Sequence, residues 1–185
     1  MEVVDSTGHA LGRLALLTLA WGLCILVAAS SLASPLSEKD AKTGFLYHLA
    51  WYTRWPLPDW DPEHPLVLGI VGTDPFGPAL DALLADKRVQ RHPLVVWRMQ
   101  PQDDIRRCHL LFIALGAAPH LAAILDTLGD APVLTVSDLP GFTQAGGMVY
   151  VGIVERRLVF QVNQPAVQRT GLHLSSQVLK LAKAP

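Results

Sequence analysis

Leu66-Val-Leu-Gly-Ile-Val-Gly-Thr-Asp-Pro75 is the stretch from which the fold is read. Its first six residues form a short apolar run without polar alternation, the pattern of a strand covered on both faces, and Gly72-Thr-Asp74 ends it with turn-forming residues. Asp74 is suited to cap a helix and Pro75 to sit in its first turn, with Phe76, Leu80, Leu83 and Leu84 as the buried stripe. A covered strand, a tight turn and an amphipathic helix in succession make one unit of a mainly parallel sheet.

The same alternation continues downstream. Leu94-Val-Val-Trp97 and residues 109–114 and 131–136 read as further strands, with a helical turn over 102–107 and a helix over 118–128 between them. Residues 148–154 and 158–162 are β-rich runs separated by a few charged residues, too few for a helical crossover, so they are expected to pair antiparallel. Asn163 is placed to cap a short helix with Pro165 in its first turn and Gly171 beyond its end. Ser175 or Ser176 is placed to cap a last helix through Val178, Leu179 and Leu181.

Upstream, Ser37-Glu-Lys-Asp40 has the form of a capping box. The helix that follows is expected to bury Ala41, Phe45, Leu49 and Tyr52 and to stop by Trp55, because Pro56 cannot continue it. The expected fold is a single three-layer α/β domain over residues 34–185. Its sheet is mostly parallel with an antiparallel C-terminal pair, and helices cover both faces.

Residues 14–29 are nearly unbroken apolar, follow Arg13, and run into Ser31-Leu-Ala33, a small-x-small site. The run is shorter than the roughly 20 residues that span a bilayer, which points to a signal peptide over residues 1–33, cleaved near Ala33, and to an exported protein. The formal net charge is −1, with no basic surplus to attract nucleic acid. Cys24 leaves with the leader, so Cys108 stands without a disulfide partner and is expected as a small apolar residue at the edge of a buried strand.

Motifs for a nucleophile elbow, a phosphate loop, a zinc protease and a C-x-x-C pair are all absent, and the histidines after the leader lack metal-ligand spacing. No catalytic residue, cofactor or metal is expected. The binding candidates lie in two places. Ser137-Asp138 follows the fourth strand, at the carboxyl end where open α/β sheets gather ligands, although the same pair also suits a turn. Arg54, beside Trp51, Tyr52 and Trp55, is a cation for stacking on rings or a donor for a carboxylate or phosphate, and His173 lies in the connection between the last two helices. Arg54 and His173 are expected to face outward on one recognition surface. Three classes stay open: a partner-binding protein; a small-ligand receptor using Asp74, Ser137 and Asp138 with Arg54 as a charged donor; and an enzyme of unrecognised type.

Several segments together resemble the YfiR-like family. They are Phe45 with Trp55-Pro56, the strand over residues 67–72, Val133-Leu-Thr-Val-Ser-Asp138, Gly141-Phe142, Gly146-Gly147-Met148, Phe160-Gln-Val-Asn163, Gly171-Leu-His-Leu-Ser-Ser176 and Leu179-Lys-Leu-Ala182. The resemblance implies a periplasmic repressor, not an enzyme, that binds the periplasmic domain of an inner-membrane diguanylate cyclase and keeps cyclic di-GMP synthesis low. It also brings in an outer-membrane-anchored protein and a second copy of the chain as further candidate partners. Some relatives carry cysteine pairs, which Cys108 alone cannot reproduce.

Overall fold

Ser37 opens the computed structural model, which describes residues 37–56, 61 and 63–183; the expected signal peptide lies outside them. The capping box forms as the sequence indicates. The Ser37 hydroxyl accepts the Asp40 N–H at 3.1 Å and the Asp40 carboxylate accepts the Ser37 N–H, starting α1 (Glu38–Trp51). The helix is rotated from its expected face. Lys42, Thr43, Leu46, Leu49 and Ala50 are buried, while Phe45 is only partly covered and Tyr52 is exposed. The reason is electrostatic: Lys42 turns inward because its ammonium meets Asp138 at 2.8 Å and Glu38 at 2.7 Å, which leaves the aliphatic stem free to pack.

After β1 (Thr53–Arg54) the sheet-forming part begins with β2 (Leu66–Val71), all six residues buried. Then come α2 (Pro78–Leu84), β3 (Arg88–Val89) and β4 (His92–Met99). A 3-10 turn over Ile105–Arg107 leads into β5 (Leu110–Ile113), and a second over Leu115–His120 leads into α3 (Leu121–Leu128). The chain closes with β6 (Leu134–Ser137), β7 (Val149–Val154), β8 (Arg157–Val162), α4 (Gln164–Arg169), β9 (His173–Leu174) and α5 (Ser176–Leu181). The second helix starts at Pro78 instead of Pro75, because Asp74 spends its carboxylate on the Phe76 N–H at 2.7 Å in a local turn.

The large sheet runs β3-β4-β2-β5-β6-β7-β8. β4, β2, β5, β6 and β7 are parallel neighbours, flanked by an antiparallel strand at each end. The C-terminal pair β7–β8 is the antiparallel pair expected, and β3–β4 is a second one that the sequence did not announce. Counting only the parallel strands in chain order, their spatial order is 2-1-3-4-5, a doubly wound arrangement. Alternate residues of the central strands feed two cores. Leu66, Leu68, Ile70, Leu110, Phe112, Leu134 and Val136 meet α1, α2, α4 and α5. Val67, Val71, Leu111 and Ile113 meet α3 and Phe142 on the other face. The domain is therefore three-layered, with helices on both faces. Apart from the large sheet, β1 and β9 pair antiparallel as a two-stranded ladder.

Candidate functional site

The crevice at the switch point of the parallel strands, where a doubly wound sheet usually holds its ligand, is closed. The order reverses between β2 and β5, and the loops leaving these strands press on each other there. Gly72 has φ +94°, and a Cβ on it would come within 2.8 Å of the Ala117 backbone nitrogen; one on Gly116 would come within 2.7 Å of the Thr73 hydroxyl. Backbone fills the crevice. The polar groups around it are also engaged. Arg98 takes Asp74 at 2.8 Å and Asp81 at 2.6 Å, and its hydrogen bond to Asp81 holds that carboxyl below its ordinary pKa.

Ser137 and Asp138 belong to this closed end. Ser137 is fully buried; its hydroxyl donates to the Ile113 carbonyl at 2.7 Å and accepts the Leu139 N–H at 3.1 Å. Asp138 is the partner of Lys42. Burial works against the Lys42 ammonium, but the hydrogen bonds and charges of Asp138 and Glu38 outweigh it and hold its pKa above the ordinary lysine value. Of the two readings left open for Ser137-Asp138, this geometry is that of a turn and a tie between layers.

Arg54 and His173 meet at the opposite end. They are directly opposed in the β1–β9 ladder, with Thr53 facing Leu174 beside them. The ladder is set against the amino ends of the parallel strands by two contacts. Trp55 donates its indole N–H to the carbonyl of His109, which precedes β5, at 3.0 Å, and Gln90 from the β3–β4 turn donates its side-chain amide to the Thr53 carbonyl at 2.9 Å. Trp55, a binding candidate beside Arg54 in the sequence, is 6% exposed and anchors the ladder through its indole N–H. Its surface role passes to Trp51 and Tyr52, which are 48% and 37% exposed.

Arg54 and His173 face an open cleft of about 320 Å³, walled by Trp51, Tyr52, Gln90 and Ser175. Both are exposed. Arg54 makes no ion pair and no ring contact with any described residue, whereas Arg107 stacks on Trp97 and Arg98 is held by two carboxylates. The β1–β9 pairing, which brings the two candidates together, left no trace in the sequence, because two-residue strands have no period to detect.

Elsewhere, an open cleft of about 670 Å³ is lined by Thr143, Gln144, Asn163 and Lys183. No group of three or more His, Cys, Asp or Glu residues among the described residues is arranged to hold a metal ion. Cys108 is buried, 3.3 Å from the Met99 sulfur, and burial pushes its thiol up to about 12, so the nucleophilic thiolate is suppressed. No helix among the described residues is long and apolar enough to cross a membrane.

A family model described as YfiR/HmsC-like matches residues 39–183. Among solved structures, the crystal structure of a conserved domain protein from Vibrio cholerae O1 biovar El Tor strain N16961 superposes with a TM-score of 0.55 at 12% identity. The superposition covers 82% of this chain but only 61% of that one, so this chain spans less than two thirds of that protein's length and the likeness is one of fold.

Proposed function

We propose, since this chain belongs to the YfiR/HmsC-like family, that it is a periplasmic regulatory protein that lowers cyclic di-GMP output by binding the periplasmic domain of an inner-membrane diguanylate cyclase. Membership supports the general class, a periplasmic regulator in a diguanylate cyclase system. The observation that supports binding as its mode of action is the Arg54 guanidinium, unpartnered among the described residues, opposite His173 and presented with Trp51 and Tyr52 in an open cleft. Arginine beside exposed aromatic rings is the composition of a protein-binding hot spot. The partner-binding reading is favoured over a receptor at the switch point, where the loops after β2 and β5 fill the crevice.

Repression needs no catalytic group. It needs affinity that differs between the active and inactive states of the partner, since equal affinity shifts no population. Deletion of the gene is expected to raise cellular cyclic di-GMP and surface attachment. Wild-type protein should reverse this, while Arg54→Ala combined with His173→Ala should not, with the melting temperature within a few degrees of wild type. Full reversal by the double variant would remove the cleft from the mechanism, and unchanged cyclic di-GMP on deletion would sink the regulatory reading.

A further inference from the structure

Tyr52 lines two concavities at once. On one side is the Arg54–His173 cleft; on the other is a groove of about 250 Å³ between α1 and α5, walled by Phe45, Leu49, Phe160, Val178 and Leu181. The groove is apolar and its rim is unusually bare: Leu181 is 75% exposed, and Phe45, seated on Phe160 with ring centroids 5.0 Å apart, stays only partly covered. No helix or strand of the described chain closes over it. The rotation of α1 that takes Lys42 inward is what leaves Phe45 and Tyr52 at this edge.

The shape and charge of this surface limit what fits. The groove volume is below the roughly 300–1,000 Å³ of whole small-molecule sites, and it suits one or two side chains of a larger body. Two helices make its walls, the setting in which an amphipathic helix lays down its apolar face. No described aspartate or glutamate lines either concavity, Arg54 beside them is unpaired among the described residues, and His48 and His173 add imidazoles. Among the described residues none supplies an acceptor for Arg54, and a cation next to an apolar groove favours a carboxylate that follows apolar residues.

We infer that the α1–α5 groove and the Arg54–His173 cleft act as one docking surface for a short amphipathic helix of the partner protein, whose apolar side chains enter the groove and whose Asp or Glu, about one turn away, meets Arg54. This rests on the binding mode proposed above and specifies the chemistry of the partner's segment.

The test uses the full chain in its native cell. Gln177, on the groove wall, is replaced with the photoreactive residue p-benzoylphenylalanine, and the cross-linked peptide is sequenced by mass spectrometry. The expected product is a partner segment with apolar residues at helical spacing and an acidic residue within a turn of them. Its yield should fall at least tenfold with Arg54→Glu. Leu181 is too exposed for its replacement to unfold the protein, so Leu181→Glu should also cut the yield tenfold by repelling the acid, while Leu181→Lys should retain most of it. Cross-links to a second copy of this chain, to a segment without an acidic residue, or with yields indifferent to the sign of charge at positions 54 and 181 would overturn the inference. If deletion of the gene raises cyclic di-GMP and Gln177 cross-links to no such segment, the regulatory reading stands and this surface fails. A segment of the expected kind, together with unchanged cyclic di-GMP on deletion of the gene, would support the surface and defeat the regulatory reading.

Discussion

His109 is held in one protonation state by its backbone neighbour. The Val67 N–H donates to its Nδ1 at 3.1 Å, which requires that nitrogen to carry no proton. Burial, with a smaller contribution from the charge of His92, pushes the imidazole down to about 4 from its ordinary 6.5. The folded state thus binds this proton less readily than the unfolded chain does. The stability it contributes is complete above about pH 6.5 and is lost as pH falls toward 4, a change on the order of 2 kcal/mol after allowing for partial solvation. Urea unfolding at pH 7 and at pH 4.5 should show the loss. His109→Asn, which keeps an acceptor for the Val67 N–H but cannot be protonated, should flatten the difference. The same residue bears on the proposed binding surface, because its carbonyl receives the Trp55 indole next to Arg54.

Among the elements, α1 and the β7–β8 hairpin show how far local chemistry decides geometry. The tie from Lys42 to Asp138 joins α1 to the end of β6, and its two side chains are 11% and 24% exposed. Lys42→Met should keep the packing of the stem but strand the carboxylate, and a loss of about 1–3 kcal/mol in denaturant unfolding is expected, less for the double variant Lys42→Met with Asp138→Asn. The hairpin turns on Glu155 and Arg156, with φ of +49° and +62°, a conformation that L residues with side chains enter at a cost of about 1–2 kcal/mol each. Turns of this kind favour glycine at the second position, so Arg156→Gly should raise stability by about 1 kcal/mol, seen as a higher melting temperature. Both elements were recognisable in the sequence, the helix by Ser37-Glu-Lys-Asp40 and the hairpin by two β-rich runs too close for a crossover. What stayed hidden was the rotation of α1, because a lysine reads as solvent-facing until the carboxylate that draws it inward is known.

At the scale of the whole molecule, legibility followed the length of the elements. Buried strands such as Leu66–Val71 announce themselves by uninterrupted apolar residues, and so the layers and the antiparallel C-terminal pair could be read directly. Residues 88–89, 53–54 and 173–174 could not, since each forms a strand of two residues whose pairing is fixed by distant parts of the chain. The candidate site divided the same way. Arg54 and His173 could be singled out one by one, but their opposition across the ladder is tertiary. Ser137-Asp138 sat where doubly wound sheets bind ligands, and no rule of spacing reveals that Gly72 and Gly116 let two loops close that crevice.

The β1–β9 ladder joins residues that stand before and after every strand of the large sheet. Closing so long a loop is entropically among the last steps that folding can complete. A chain emerging amino end first presents Arg54 while His173 is still to come, and until then one wall of the cleft is missing. On the binding mode proposed above, a stalled or clipped chain lacks the surface that would occupy the partner, and the ladder would make recognition a test of completeness.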